Sequence, residues 1–186
     1  PCNQAHRLRP RDSRTRVPCL GAPDGPPLES LPVACQHGDR PACLRACPVN
    51  PKAITKDPET GVVTVDEDRC TGCGECVIAC PYGAMGYDAE DHHSVKCDLC
   101  ADRRAVGQTS ACASVCPGHA ITLGRRDDHI AHAEAEGRKV RDHDNFLLGP
   151  ATVYLDPIER PGRRAPSAEA SARAERETPA LIDDPK

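Results

Sequence analysis

Apolar and polar positions alternate most clearly in AITKDPETGVVTV, residues 53 to 65. Two short alternating runs flank Asp57-Pro58-Glu59-Thr60-Gly61, five residues that favour turns, and the pattern predicts a β-hairpin. The approach to this hairpin recurs. Cys47-Pro48 leads to Ala53-Ile54-Thr55, Cys80-Pro81 to Ala84-Met85, and Cys116-Pro117 to Ala120-Ile121-Thr122. The Cys-Pro pairs are 33 residues apart (47 to 80) and then 36 (80 to 116), an internal repeat. Each pair is expected to end a short helical turn and feed a short strand. Outside this block the pattern thins. Residues 1 to 30 are rich in Arg and Pro without a helical or strand period. RDDHIAHAEAEGRKV, 126 to 140, reads as one weakly amphipathic, solvated helix. Residues 161 to 186 read as a disordered tail of small and charged residues. No apolar run approaches the roughly 18 residues of a membrane helix.

Composition sharpens this picture. The 186-residue chain is 38% hydrophobic, with no Trp, one Phe, three Tyr and one Met, so a conventional core would be thin. Nineteen prolines and fourteen glycines favour loops over long regular elements. Small folds with poor cores need staples, and thirteen cysteines offer them as disulfides or as metal ligands. Their odd number and spacings of three or four residues favour metal. A net charge of −4 gives no basic field for nucleic acid. The chain opens at Pro1 and its one methionine is Met85, so the native start is expected to be missing. The absence of a signal peptide therefore carries no weight.

Cys70-x2-Cys73-x2-Cys76-x3-Cys80-Pro81 is the complete bacterial ferredoxin run. Three thiolates two residues apart can wrap one cubane, and Gly72 and Gly74 allow a tight loop that brings N–H groups to sulfur. Cys80 begins to turn with a helix and projects away, as the fourth cysteine does in two-cluster ferredoxins. Zinc is the competing ligand of CxxC pairs. A second group, Cys97-x2-Cys100-x11-Cys112-x3-Cys116-Pro117, would read as a four-cysteine zinc site in isolation, but its Cys-Pro ending aligns it with the ferredoxin run. A third, Cys35-x2-Gly38-x4-Cys43-x3-Cys47-Pro48, has glycine where a cysteine belongs. Short hairpins and helical turns around repeated cysteine groups describe an α+β, loop-rich, doubled bacterial-ferredoxin-like fold. Its expected divisions are a truncated segment at 1–30, a cluster-binding domain at 31–124, a helix and extended segment at 125–160, and the tail.

The order ACQHGDRPACLRACP, DRCTGCGECVIACPYGAM, VKCDLC…ACASVCPGHAITLG resembles the iron–sulfur beta subunit of the dimethyl-sulfoxide-reductase family of molybdopterin oxidoreductases, and GPATVYL at 149 to 155 is similar to the closing segment of such subunits. The resemblance implies a relay of [4Fe–4S] clusters between a molybdopterin catalytic subunit and a membrane quinone-reacting anchor. It implies a position on the cytoplasmic or periplasmic face of the bacterial inner membrane, held through partners. It also implies a pairing rule. Cys70, Cys73, Cys76 and Cys47 would bind one cluster; Cys35, Cys43 and Cys80 would hold its neighbour. Cys97, Cys100 and Cys112 would need the last cysteine of a first group that is incomplete here. Cys2 is the candidate, with Cys116 as substitute. Cys19 is expected to be a plain thiol.

At Gly38 three outcomes stand open. The centre is [3Fe–4S], or a [4Fe–4S] cluster with a ligand other than cysteine (water, Asp39 or His37), or it is lost. Of these, [3Fe–4S] satisfies three thiolates with three irons, and Gly38→Cys is then expected to restore a four-iron site. His37 is expected to pack or face solvent, His92-His93 to be solvated in a charged loop, and Asp66, Glu67 and Asp68 to be surface charges. No catalytic constellation, phosphate loop or nucleotide fingerprint is present, so the chain reads as an electron-transfer subunit without substrate chemistry of its own. A free-standing polyferredoxin shuttle and a structural zinc module are the competing readings.

Overall fold

The computed structural model describes residues 2–6, 14–17, 19–20, 29–141 and 144–156. The expected tail at 161–186 lies outside them. Two similar units, built from residues 35 to 96, form the centre. In the first, α2 (Ala42–Ala46) ends at Cys47, which turns to extended backbone and leads to the hairpin of β3 (Ile54–Lys56) and β4 (Val63–Val65). The register pairs Ile54 with Val65 and Lys56 with Val63. The expected turn residues make the return. Asp57 Oδ1 accepts the N–H groups of Glu59 and Thr60 at 2.9 and 2.7 Å, and Gly61 takes the left-handed conformation, φ 69°.

The second unit repeats the plan. Its helix α3 (Glu75–Ala79) ends at Cys80, and β5 (Met85–Asp88) pairs with β6 (His93–Lys96). Asp88 Oδ1 accepts from Glu90 and Asp91 at 2.9 and 3.2 Å, the turn chemistry of Asp57 over again. DAEDHHS is thus a hairpin turn that enters a strand, and His93 is a strand residue. Its side chain is largely covered, with Nε2 3.6 Å from Glu67, whereas His92 is exposed as expected.

The helices α2 and α3 pack on each other, and between the units lies a core of Cys43, Cys47, Ala53, Ile54, Val63, Cys76 and Met85. Three of these seven are cysteines, so much of what a conventional core would fill with leucine is thiol.

The third Cys-Pro pair behaves differently. It follows α4 (Ala101–Ala105) and α5 (Ala111–Ser114), but Ala120–Thr122 forms no strand. A strand there has no pairing segment, because the chain goes straight on into α6 (Arg126–Ala135). That helix is shorter than the expected 126 to 140. Gly137 ends it at φ 67°, and Val140 belongs to β7 (Val140–Arg141), paired with β8 (Tyr154–Leu155). Near the amino end, α1 (Cys2–Ala5) packs against α5, and β1 (Cys19–Leu20) pairs with β2 (Glu29–Ser30).

Residues 144 to 151 form a strap across the loop of residues 36 to 40. The N–H groups of Asp39 and Arg40 donate to the carbonyls of Gly149 and Leu148 at 2.9 and 3.1 Å, and that of Ala151 donates to Gln36 at 2.8 Å. Tyr82 meets Phe146 edge to face, ring centroids 5.2 Å apart, and ties the strap to the second unit.

Candidate metal centre

Twelve of the cysteines have described side chains, and all twelve are free thiols. The side chain of Cys19, expected to be a plain thiol, lies outside the described residues. The thiols expected as ligands lie in three neighbourhoods. The ferredoxin run curls through Gly72 (φ 69°) and Gly74 (φ 77°), the second of which starts α3. Gly72 is obligatory on space as well, since a Cβ there would run into the carbonyl oxygen of His92. The loop places Cys70 and Cys73 within electrostatic reach of Cys76. Burial raises the Cys76 thiol above its ordinary value, the Ser94 hydroxyl opposes the rise, and Cys70 and Cys73 add to it. Cys76 Sγ donates to Ser94 Oγ at 3.1 Å, while the N–H of Ser94 donates to Cys70 Sγ at 3.4 Å. Cys73 is exposed. Cys47 sits in the core between the two units, the side on which Cys76 is buried.

Beside this set lies Cys43. Burial and the neighbouring Cys35 push its thiol up to about 11; the Lys96 ammonium opposes, and Cys80 adds a further upward push. Cys80, 37 positions beyond Cys43, packs against the same buried core, so both Cys35 and Cys80 act on the Cys43 thiol. The third set joins the chain's beginning to its middle. Cys2 is raised by burial and by Cys100, and Cys112 lies near enough to add to the effect. Cys97 is raised to about 12 by burial, partly opposed by the N–H of Leu99, with Cys35 as a further neighbour.

Backbone donors distinguish the Cys-Pro cysteines. Burial alone would raise Cys47, but the N–H groups of Val49, Ala53 and Ile54 outweigh it and hold the thiol below its ordinary value. The N–H of Ala84 donates to Cys80 Sγ at 3.4 Å, and that of Ala120 to Cys116 Sγ at 3.3 Å. Cys116 is lowered by the N–H of Ala120 and, less strongly, by those of Ile121, Gly118 and His119. A Cys-Pro turn thus folds its following N–H groups back onto sulfur, which stabilises thiolate and suits a metal ligand. The lowering of Cys116 thus comes from backbone N–H groups of its own turn, against a small opposing effect of burial.

Gly38 is not an idle gap. A Cβ at this position would stand 2.7 Å from the carbonyl oxygen of Leu148, so the strap approaches as closely as glycine alone permits. The expectation that Gly38→Cys restores a four-thiolate site is corrected by this contact, because cysteine requires the strap to move. His37 is buried, 4% exposed, and packs as expected. Its Nδ1 accepts the N–H of Val63 at 2.9 Å, while Nε2 is buried without a hydrogen-bond partner. Burial and then Lys96 hold its imidazole down to about 3, which keeps it neutral. With Nδ1 accepting, a neutral ring carries its proton on Nε2, which is a donor and no metal ligand. Lys96 and Ser94 were not singled out from the sequence. Both fall on the buried face of a hairpin whose Asp88 turn was the available signal.

The donor set fits an iron–sulfur group: free thiols in three clusters, backbone N–H groups aimed at sulfur, and a core that depends on those thiols. An α+β, loop-rich fold carrying the ferredoxin run defines the class as ferredoxin-type. Residues 27–126 match the 4Fe-4S dicluster domain family, and the chain belongs to it. It is a carrier of [4Fe–4S] clusters. Among its relatives, chlorate reductase subunit beta of Ideonella dechloratans is 47% identical over 98 residues, 53% of this chain and 29% of that protein. The formate dehydrogenase iron-sulfur subunit of Haemophilus influenzae is 41% identical over 116 residues, 61% of this chain and 36% of its own length. One polypeptide of the anaerobic dimethyl sulfoxide reductase of Escherichia coli is 42% identical over 98 residues, 53% of this chain and 46% of its own length. These relatives bear out the resemblance carried by the cysteine order. The chain spans less than half the length of each.

Proposed function

We propose that the chain is the electron-relay subunit of a molybdopterin oxidoreductase, with the two central units forming a doubled ferredoxin module. Cys70, Cys73 and Cys76 with Cys47 hold one [4Fe–4S] cluster, and Cys97, Cys100 and Cys112 with Cys2 hold another. Cys35, Cys43 and Cys80 hold a [3Fe–4S] centre at the Gly38 corner. Cys116 has no cluster of its own within these residues. Iron–sulfur clusters supply one-electron transfer at potentials tuned by ligands, hydrogen bonds and burial. The chain's contribution is to fix thiols from distant segments, to exclude water around Cys43, Cys76 and Cys100, and to aim N–H groups at sulfur. The partners are a molybdopterin catalytic subunit and a membrane anchor, with attachment to one face of the bacterial inner membrane through them. Among the described residues no helix is long and apolar enough to cross a membrane.

The observation that carries the reading is that Cys43 and Cys47 of the first unit share one buried core with Cys76 of the second, with Cys70 and Cys80 packed against it, because ligand exchange between cysteine groups demands that convergence. Low-temperature EPR of the oxidised protein tests the centre at Gly38. A [3Fe–4S] centre has an odd electron count and gives a signal, whereas oxidised ferredoxin-type [4Fe–4S] clusters are silent. Silence with three full cubanes of iron overturns the vacant corner. Mass spectrometry of proteins co-purified with the chain tests the complex: a pterin-containing partner is expected, and a chain that purifies alone with its clusters is a free shuttle instead.

A further inference from the structure

Lysine is among the residues least often buried, and when buried it is paired. Lys96 ends β6 at 3% exposure, yet none of the ion pairs among the described residues includes it. Asp98, the acid nearest in sequence, is engaged by Arg14 at 3.4 Å and by His6 at 3.8 Å. Lys96 Nζ donates to the carbonyls of Val63 and Cys97, which leaves one N–H and the charge without an anionic partner among the described residues. Its two acceptors place it: Val63 belongs to the buried core that holds Cys43, and Cys97 opens the other cysteine group, so the charge acts on both thiols. An ion in this position requires an anion.

We propose that Lys96 is the buried counter-charge shared by the two iron–sulfur centres of the Cys35 and Cys97 groups, and that it raises the reduction potentials of both. The inference rests on the ligand sets proposed above. Thiolates and sulfides make such centres anionic, and reduction adds one more negative charge. A fixed cation in a medium of low dielectric stabilises the reduced form more than the oxidised one. The Cys70 group is the comparison centre: Ser94 gives it a neutral hydroxyl and N–H, and its own lysine, Lys52, which donates to the Cys47 carbonyl at 2.7 Å, is half-buried and untouched by changes at Lys96.

Potentiometric EPR of the iron-loaded full chain tests this with Lys96→Gln, Lys96→Met and Lys96→Arg. Glutamine keeps an N–H donor for the two carbonyls without the charge, so a merely structural lysine predicts unchanged potentials. The expected result is a downward shift of two centres in Lys96→Gln and Lys96→Met, with the Cys70-group centre shifting least and Lys96→Arg close to wild type. Unmoved potentials in iron-loaded Lys96→Gln, or an equal shift of all three centres, overturn the proposal. If the neutral variants lose iron from two centres while Lys96→Arg keeps it, the requirement for charge stands; equal loss in all three variants overturns it. A wild-type chain without an iron–sulfur signal defeats the ligand sets themselves, which separates that failure from this one.

Discussion

The two central units and the third Cys-Pro segment begin from the same sequence device and reach different ends. In residues 35 to 96 each Cys-Pro turn is followed by a hairpin, and the two units bury Cys43, Cys47 and Cys76 between them. In residues 97 to 122 the turn is the same, with N–H groups folded onto Cys116 Sγ, but no hairpin follows it. The difference teaches that the Cys-Pro turn is a local property, while the buried thiol core is made by reciprocity. A repeat acquires a core when a second repeat faces it.

Removing iron breaks the comparison most completely. With three cysteines in a core of seven residues, the thiols of an iron-free chain face one another at the centre of the two units. Metal binding at such sites is folding free energy. Amide hydrogen exchange is expected to accelerate throughout β3, β4, β5 and β6 after anaerobic chelation. A cooperatively folded, protected apo-protein would refute this.

Single cysteines should follow the same division. Cys73→Ala, in the uninterrupted run, is expected to cost one cluster's iron and the relay with it, measured by iron analysis and by reduction kinetics. Cys116→Ala and Cys19→Ala are expected to leave iron content unchanged in this chain. Equal losses from Cys73→Ala and Cys116→Ala would show the ligand sets to be wrong.

A smaller effect separates two glycines. Gly38→Ala drives a methyl against the Leu148 carbonyl and should destabilise by about 1–3 kcal/mol, the range for overpacking a tight contact. Gly118→Ala, with nothing within 4 Å of its Cβ, should stay within about 0.5 kcal/mol. Denaturant midpoints of the iron-loaded variants check both, and equal midpoints would remove the strap from the account.

The smallest effect is chemical. The half-buried Cys116 thiol is held below its ordinary value by backbone donors, whereas Cys97 is pushed up to about 12. A lowered thiol holds a larger thiolate fraction than an ordinary cysteine at any given pH, and its alkylation persists to lower pH. Brief iodoacetamide treatment at neutral pH, read by peptide mass spectrometry, should label Cys116 and spare Cys97. The reverse order would contradict both assignments.

What could be read in the sequence followed from how local its cause was. The β3–β4 hairpin was legible because Asp57 and Gly61 make its turn by themselves. The ferredoxin run was legible because its glycines and spacing act over a few residues. The β5–β6 hairpin uses the same aspartate device at Asp88, but the charges of DAEDHHS disguised it as a solvated loop. Lys96 was hidden for a related reason. Lysine is ordinarily a surface residue, and only the fold reveals that Val63 and Cys97 close over it. The strap was beyond any local signal, since Gly38 and Leu148 are brought together by the whole chain.

That strap also sets an order of events. The loop around Gly38 is made early in translation, and the carbonyl that closes on it belongs to a segment synthesised much later. Until residues 144 to 151 have been made, the three backbone hydrogen bonds and the aromatic contact that cover residues 36 to 40 cannot form. The strap is thus a late-made cover on an early-made loop, and the packing around Gly38 is completed only when nearly the whole described chain exists.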